Sequence, residues 1–451
     1  MKIEQFEDKG LAHFSYAILS ECARKMVLID PARNPQPYYD YAKANNAAIV
    51  AVIETHPHAD FVSSHREIAQ ATGANIRVSK LLGADYAHEG FDEGDAFTVG
   101  KLTFRALNTP GHSPDSISIM LSREDQDVAV FTGDTLFIGD VGRPDLREKA
   151  GNMTAKREEL AKQLYHSLRE KLLPLAADVL VYPAHGAGSL CGKALSGANS
   201  STIGTEKIGN PMLRPLSEED FVTELLADQP FIPKYFGYDV ALNKAGAPDY
   251  APSVQQVKRL AAGTTLEAGV VVIDTRPEAE FKKGHVEGAI NLQQGGKFET
   301  WLGSIVGPEE AFYLLAADEA TREDLIRKTA KIGYELLIKG ALVGTPATSV
   351  TMPVLDLAAF REHPENYTIV DIRNPVEHRD EPIFDGSLNI PLPELRERAR
   401  EIPTDKPVVV HCAGGYRSAA GSSIVADALP GTAVLDLSEA VKSFQPATAA
   451  H

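Results

Sequence analysis

Two histidines and an aspartate stand close together near the start of the chain, at His56, His58 and Asp60. Residues of the same types recur later, each just past a short apolar run: His112, Asp134 and His185. Imidazole nitrogens and carboxylate oxygens are common ligands of divalent metals in proteins. The recurrence of this pattern predicts a metal site, whereas any one of these histidines alone is equally well explained as a loop or core residue.

A second motif lies near the end of the chain, where Cys412 follows the apolar segment Val408-Val409-Val410. The next residues, Ala413-Gly414-Gly415-Tyr416-Arg417, form a glycine-bearing loop before a run of small residues that predicts a helix from Ala419. Backbone N–H groups at a helix N-terminus and a nearby arginine stabilise an anionic sulfur. Cys412 is therefore predicted to be a nucleophile beside Arg417, surrounded by Gly414, Gly415 and Tyr416. The alternative is an inert buried cysteine.

The elements that must position the metal ligands are predicted strands at 47–53, 102–107, 128–131 and 179–182, each of which ends just before a candidate ligand. Pro57 cannot donate a hydrogen bond to a neighbouring strand, so the first of these strands should stop before it and leave His56 and His58 on a loop. Two further strands are predicted at 12–19 and 25–29. A helix is predicted from a serine cap at 64 to 72, before Gly73.

The second half of the chain repeats itself. The segment Val270-Val271-Val272-Ile273-Asp274-Thr275-Arg276 is echoed by Thr368-Ile369-Val370-Asp371-Ile372-Arg373, with Asp371 standing 97 positions after Asp274. Proline-rich, aperiodic segments at 230–233 and 245–252 predict a linker before the repeat, preceded by a helix at 217–226. We therefore expect three domains, at 1–249, 250–347 and 348–451.

In order and spacing, the segments THPHAD, GHS, TGDTLF and PAHG resemble the metallo-β-lactamase superfamily over roughly the first half of the chain. That resemblance implies an αββα sandwich. Phe61 stands where the superfamily's motif has its last histidine, which removes a ligand of a second metal site and narrows the resemblance to the persulfide dioxygenases. Asp115 also departs from the pattern, since the superfamily often has glycine there.

The resemblance to persulfide dioxygenases implies one Fe(II) per chain, held by three residues: His56, His112 and Asp134. Two imidazoles and one carboxylate with open positions are also what an oxygen-activating non-haem iron centre requires. A zinc hydrolase could use the same residues. His58, Asp60 and His185 would then orient the ligands or shape the substrate pocket.

Two further residues of this half are candidates for handling substrate. Arg143 lies in a GR-x-D loop like one found near the substrate in thiol-handling members of the superfamily, so it could anchor a carboxylate or phosphate on a carrier thiol. Its alternative is a loop arginine paired with Asp140 or Asp145. Cys191 lies in a glycine-rich loop just past His185 and could relay sulfur, or be a quiet thiol.

The repeated half resembles two rhodanese domains in tandem, each a small doubly wound α/β unit. The six-residue loop from Cys412 to Arg417 has the length of sulfurtransferase loops and is one residue shorter than the related phosphatase loops. In the middle domain Ala317 stands at the matching position, in the acidic loop Ala316-Ala317-Asp318-Glu319. This copy has no thiol there and is predicted to be a spacer or docking domain. Asp274, Asp371 and Arg373 are expected to pin loops at the sheet edge.

Composition limits the partners. The 451 residues carry 45 basic and 62 acidic side chains, a net charge of −17, which argues against binding nucleic acid or an anionic membrane surface. Three cysteines cannot form a disulfide framework and fit a reducing compartment. With no apolar signal core at the N-terminus and no apolar run of membrane-spanning length, we expect a cytoplasmic protein.

These observations together predict an iron persulfide dioxygenase coupled to sulfur transfer at Cys412. Its substrates would be O2 and a small-molecule persulfide of glutathione, coenzyme A or a similar thiol, with sulfite and thiosulfate as the linked species; a homo-oligomer is compatible with this. One alternative is a zinc thioester hydrolase of the hydroxyacylglutathione type with an appended sulfurtransferase. Another is a non-oxidising sulfur-carrier protein that uses only Cys412.

Overall fold

The computed structural model describes residues 1–146, 156–193, 195–344 and 350–445. The chain divides into one unit of Met1–Ser253 with Ala330–Gly333 and another of Val254–Thr329 with the chain from Tyr334 onward. The domain limit predicted between 249 and 250 stays a prediction. The limit predicted between 347 and 348 lies outside the described residues.

The first unit contains two mixed sheets whose strands follow the apolar runs of the sequence. The first sheet comprises β1 (Lys2–Asp8), β2 (His13–Ser20), β3 (Lys25–Ile29), β4 (Ala48–Ile53), β5 (Asn75–Val78) and β6 (Glu89–Gly90), paired in chain order. The second comprises β7 (Ala96–Val99), β8 (Leu102–Asn108), β9 (Ile117–Arg123), β10 (Gln126–Gly133), β11 (Leu180–Pro183) and β12 (Ser201–Thr202), also paired in chain order. The strands predicted from the sequence agree with these within two residues at each end.

The two sheets face each other across a shared apolar core. Side chains of the first sheet, among them Tyr16 and Ile29, pack against Phe104, Ile119 and Phe131 of the second. The alternating burial along β8 matches one face turned to this core. Removing these rings and branched chains from water is the main favourable term that holds the sheets together.

Helices cover the outer faces of both sheets. Before the repeat they are α1 (Gln36–Ala44), α2 (His65–Thr72), α3 (Arg157–His166), α4 (Ile203–Gly209), α5 (Glu218–Leu226), α6 (Phe236–Ala245) and α7 (Tyr250–Gln256). Tyr38 and Ile68 pack on the first sheet, and Leu164 and Phe221 pack on the second. The predicted αββα sandwich is confirmed. The hydroxyl of Ser64 donates to the Ala32 carbonyl, so it does not cap α2 as expected.

The second unit contains two parallel sheets that reflect the repeat. One comprises β13 (Val271–Asp274), β14 (Phe312–Ala316) and β15 (Ile338–Val343), paired in that order. The other comprises β16 (Thr368–Asp371), β17 (Leu388–Asn389), β18 (Val408–His411) and β19 (Val434–Asp436), in the order β17-β16-β18-β19. The helices are α8 (Glu278–Lys283), α9 (Phe298–Ile305), α10 (Glu319–Lys331), α11 (Leu357–Glu362), α12 (Pro375–Asp380), α13 (Leu395–Arg398) and α14 (Tyr416–Ala428).

Each sheet brings a loop between a strand and a helix to the carboxyl edge of its parallel strands. In the last domain this is the loop between β18 and α14, which contains Cys412. Such edges are where open α/β sheets bind ligands. The predicted α/β fold class is confirmed for this half as well.

Within the described ranges, none of the helices combines the length and the apolar character that crossing a lipid bilayer requires.

Candidate metal centre and cysteine loop

His56, His112 and Asp134 meet at one edge of the sandwich, just past the ends of β4, β8 and β10. The Asp134 Oδ2 atom lies 3.8 Å from His56 Nε2 and 3.4 Å from His112 Nε2. All three side chains are buried, and their nearest ligand atoms lie within 4.8 Å of one another. Neither Asp134 carboxylate oxygen accepts a hydrogen bond, and imidazole nitrogens lie 3.4 to 3.8 Å from them. A buried carboxylate that accepts no hydrogen bond is costly unless a cation binds it, so this donor set fits a metal ion.

Glycines allow the ligand-bearing loops to approach one another. Gly133 adopts φ +51°, and a Cβ there would lie 2.5 Å from Thr55 Oγ1. At Gly142 a Cβ would lie 1.8 Å from the Asp134 carbonyl oxygen. Larger residues at these positions would displace the segments that carry the ligands.

Hydrogen bonds set the tautomer of His56. Thr55 donates its N–H and its hydroxyl to the two oxygens of Asp30, at 2.7 and 2.8 Å. With its proton committed, the Thr55 hydroxyl accepts at 3.0 Å from His56 Nδ1. The proton of His56 therefore lies on Nδ1, and the lone pair on Nε2 is available to a metal.

The His58 ring lies beside that of His56, with their centroids 4.2 Å apart, and its Nε2 faces two other carboxylates. Its Nε2 lies 3.1 Å from Asp30 Oδ1 and 3.5 Å from Glu54 Oε2, and all three side chains are buried. Burial and the nearby charge of Asp30 raise the pKa of Glu54 well above its usual range. His58 therefore contacts Asp30, the carboxylate that orients His56 through Thr55.

Asp60, His185 and Cys191 form a second group beside the first, with ligand atoms within 4.8 Å of one another. His185 Nε2 lies 3.4 Å from Asp60 Oδ2 and 3.5 Å from Asp134 Oδ1. Burial, followed by the charges of Asp60 and Asp134, raises the pKa of the Cys191 thiol well above its usual value. Without a cation nearby, Cys191 is therefore a neutral thiol at neutral pH.

Phe61 stands at the sequence position where the superfamily's motif has its last histidine. It is buried, with its centroid 3.8 Å from that of His13 and 4.3 Å from that of His58. A phenyl ring cannot coordinate a cation. The group of Asp60, His185 and Cys191 therefore has one ligand fewer than it would have with a histidine at position 61.

Asp115 has a local role. Its Oδ1 accepts a hydrogen bond at 2.6 Å from the hydroxyl of Ser113, the residue next to His112. The carboxylate thus fixes the turn that presents this histidine.

Cys412 lies in the loop between β18 and α14, and its side chain is buried. The N–H of Gly415 donates to its sulfur at 3.2 Å. Gly415 adopts φ +95°, and a Cβ there would lie 2.7 Å from the Glu439 backbone nitrogen, so only glycine fits. The loop therefore points a backbone donor and the start of a helix at the sulfur, as an anionic sulfur requires.

Arg417 does not donate to the cysteine. Its Nη1 and Nη2 atoms each donate at 2.8 Å to one carboxylate oxygen of Glu377. Burial alone would lower the pKa of Arg417, but the hydrogen bond with Glu377 outweighs it and raises the pKa. The guanidinium also lies 5.7 Å from the ring centroid of Trp301. It acts as a fixed cation beside the loop.

Family models match both halves of the chain. The model described as metallo-beta-lactamase superfamily matches residues 10–185, and that of the rhodanese-like domain matches 253–334 and 356–446. The chain is 32% identical over 211 residues to human persulfide dioxygenase ETHE1, which is 46% of this chain and 74% of that protein. The chain belongs to the metallo-β-lactamase superfamily. The predicted resemblance, with rhodanese-like domains after the metallo-β-lactamase domain, is confirmed.

Other relatives agree. The mouse persulfide dioxygenase ETHE1 is 30% identical over 241 residues, 53% of this chain and 85% of that protein. A crystal structure of a metallo-β-lactamase from Staphylococcus aureus is 31% identical, with a TM-score of 0.69, and the match covers 76% of this chain and 99% of that one. The likeness to this structure therefore extends well beyond the metallo-β-lactamase domain.

Within the metallo-β-lactamase domain, the guanidinium of Arg143 is occupied by hydrogen bonds to the protein itself. Its Nε and Nη2 donate to Asp145 at 2.7 Å each, and its remaining donors reach backbone carbonyls, including those of Leu190 and Pro230. The side chain is almost wholly buried. These contacts match the alternative, a loop arginine paired with Asp145, and the role of an anion anchor stays a prediction.

Sequence reasoning missed Asp30 and Glu54, although both lie close to the metal centre. Asp30 follows β3 directly, so it shows the same pattern of an acidic residue at a strand end that revealed Asp134. Glu54 stands two positions before His56. His13, on β2, was missed because a histidine inside an apolar strand carries no such signal; burial is the first cause that lowers its pKa well below the usual value.

Proposed function

We propose that the first domain is a persulfide dioxygenase that uses one Fe(II) to oxidise a small-molecule thiol persulfide to sulfite with O2. The observation that carries this proposal is the buried trio of His56, His112 and Asp134, with Phe61 in place of the last histidine of the motif. Relatives named persulfide dioxygenase support it. His56, His112 and Asp134 would hold Fe(II), which would supply the redox chemistry needed to use O2.

The protein's own groups would orient and shield this centre. Thr55 and Asp30 hold His56 with its Nε2 turned inward. Phe61 packs on the ring of His58, the neighbour of His56, and adds an apolar, buried side chain to this part of the molecule. Candidate carrier thiols are glutathione, coenzyme A or a similar small thiol.

We also propose that Cys412 is the nucleophile of a sulfurtransferase that forms or uses thiosulfate. The Cys412 thiolate attacks the outer sulfur of a persulfide R–S–SH; the new S–S bond forms as the old one breaks, and the carrier leaves as a thiolate that takes up a proton. Sulfite then attacks the outer sulfur on Cys412. This step makes thiosulfate and returns Cys412 as a thiolate, which the N–H of Gly415 stabilises.

A two-metal zinc hydrolase is the second candidate. The group of Asp60, His185 and Cys191 beside the first trio is the observation that favours it, because a second cation could bind there. Phe61 argues against it, since the ring removes a ligand. The non-oxidising sulfur carrier has no such support. The sparse cysteines support a proposed cytoplasmic location.

Metal analysis combined with an oxygen electrode tests the proposal. Protein purified without oxygen should contain about one iron per chain and consume O2 with glutathione persulfide. His56→Ala and Asp134→Ala should lose iron and O2 uptake together, while sulfur transfer from thiosulfate to an added thiol persists. Active protein with two zincs and no iron would replace the dioxygenase proposal with the hydrolase.

A further inference from the structure

The middle domain, which lacks a cysteine in its loop, contacts the last domain through a small charged network. Lys282 on α8 lies 3.0 Å from Asp436 Oδ2, at the end of β19, and 3.0 Å from Glu278 Oε2 on its own helix. The hydroxyl of Ser438 donates to Glu278 Oε1. Two carboxylates, one ammonium group and one hydroxyl thus join α8 to the segment after β19.

Asp436 and Lys282 form the part of this network that is shielded from water, while the side chain of Glu278 is 25% exposed. Asp436 and Lys282 have side chains that are 0% and 14% exposed. Burial, and then the hydrogen bond with Glu278, raises the pKa of Asp436 to about 7. For Glu278, burial would raise the pKa, but hydrogen bonds from Asp436, Ser438 and Lys282 outweigh it and lower the pKa. A proton that lies on Asp436 therefore lets the two carboxyl groups sit together.

The same segment packs directly on the cysteine loop. Ser438 adopts φ +53°, and its N–H donates at 2.9 Å to Asp436 Oδ1. A Cβ on Gly415 would lie 2.8 Å from the Ser438 carbonyl carbon. The backbone that Glu278 fixes through Ser438 is therefore in contact with Gly415, whose N–H donates to the Cys412 sulfur.

The residues after Gly415 also rest on the middle domain. The Tyr416 hydroxyl donates at 2.9 Å to the Gln293 carbonyl, and a Cβ on Gly295 would lie 2.7 Å from the Tyr416 ring. The start of α14, which points at Cys412, is thus held on two sides by residues outside its own domain.

We propose that Glu278 and Lys282 of the middle domain are positioning residues for Cys412, acting through Asp436 and Ser438 to hold the Gly415 N–H on the sulfur. The inference rests on the proposed sulfurtransferase function. It assigns the middle domain a task in sulfur transfer, because the donor that stabilises the thiolate is kept in place from that domain.

The reaction of Cys412 with iodoacetamide, followed by peptide mapping, tests this in the full chain without any sulfur transfer. Glu278→Ala and Ser438→Ala should each slow alkylation of Cys412 by roughly three- to tenfold at a fixed pH near 7, because a displaced N–H donor stabilises the thiolate less. Glu278→Gln keeps an oxygen acceptor for Ser438 and should recover part of the rate. Glu280→Ala is the matched control, since Glu280 is exposed on the same helix.

A merely structural role would lower thermal stability and leave the alkylation rate of the folded protein unchanged. Trp301, the only tryptophan of the chain, reports through its fluorescence whether the two domains still meet beside Arg417. Wild-type alkylation rates in both Glu278→Ala and Ser438→Ala would overturn the inference. If instead these rates fall as expected but wild-type protein transfers no sulfur, the proposed function fails and the positioning of Cys412 stands.

Discussion

In both rhodanese-like domains an aspartate at the end of the first strand binds the arginine two positions later. Arg276 Nη2 donates to Asp274, and Arg373 Nη2 donates at 2.7 Å to Asp371. Each pair is buried and fixes the loop after its strand. The helices α10 and α14 also occupy matching places, 97 positions apart. The two copies therefore share the Asp–Arg pair after their first strand and the position of the helix that follows the cysteine loop or its counterpart.

The difference lies at the N-terminus of these helices. In the last domain the Gly415 N–H is directed at the buried Cys412 sulfur. In the middle domain Ala317 is exposed, and the carboxylate of Asp318 accepts the Thr321 N–H at 2.8 Å. This hydrogen bond, together with one from the side chain of Thr321, lowers the pKa of Asp318. In one copy the helix start thus faces a sulfur nucleophile, whereas in the other it is satisfied by an exposed carboxylate that cannot carry sulfur.

The largest expected effect follows from this difference. Wild-type protein treated with thiosulfate or a persulfide should gain one sulfur, on Cys412, and Cys412→Ser should gain none there. The middle domain should stay unmodified because Ala317 offers no nucleophile. Intact mass measurement followed by peptide mapping decides this. Stable sulfur on Cys191, with Cys412 unmodified, would contradict it.

The strand ends and the cysteine loop could be predicted because their signals are local. An apolar run followed by Pro57, or by Gly133 and Asp134, marks a strand that stops at a polar residue. The docking of Glu278 on Ser438 joins residues 160 positions apart, and no periodicity records it. The contacts of Arg143 could not be predicted for the same reason, because the carbonyls that accept its hydrogen bonds lie on loops distant in sequence.

A second prediction tests whether Cys412 receives sulfite from the proposed iron site of the first domain. With a persulfide and O2, the wild-type chain should release mainly thiosulfate, because sulfite attacks the outer sulfur on Cys412. In Cys412→Ser the proposed iron ligands are untouched, so O2 uptake should persist while the product shifts towards sulfite; Cys412→Ala should behave alike. The measurement is the sulfite to thiosulfate ratio at equal O2 consumption, corrected for the spontaneous reaction. An unchanged ratio would show that the two activities are only tethered.

A third prediction tests whether a thiol alone would restore the middle copy. In a Cys412→Ser background, Ala317→Cys should gain little or no sulfur from thiosulfate, because Asp318 already accepts the helix N–H groups and its charge repels anions. Adding Asp318→Gly should increase loading at position 317 severalfold over that variant. Peptide mapping measures both. Efficient loading with Asp318 in place would mean that the carboxylate is not what separates the two copies.

The smallest expected effect concerns the contact between the copies and its dependence on pH. The pKa of Asp436 is about 7 in the folded protein, whereas an unfolded aspartate has a pKa of about 3.9, so the folded state holds this proton more tightly. Its contribution to stability is therefore largest below about pH 4 and is lost as the pH rises to about 7. The depressed pKa of Glu278 acts in the opposite sense, but only as the pH falls through the acidic range of that carboxyl.

Thermal unfolding of the full chain between pH 5 and 8 measures this dependence. The transition of the second unit in wild type should fall in temperature by a few degrees over this range. Asp436→Asn carries no titrating proton and should flatten that part of the curve, with Glu280→Ala as a control that keeps the wild-type slope. Lys282 faces the same pair and moderates the effect, because its ammonium group favours the ionised form of Asp436. Equal slopes in wild type and Asp436→Asn would show that the network does not hold a shared proton, and the contact would then depend on Lys282 and Ser438 alone.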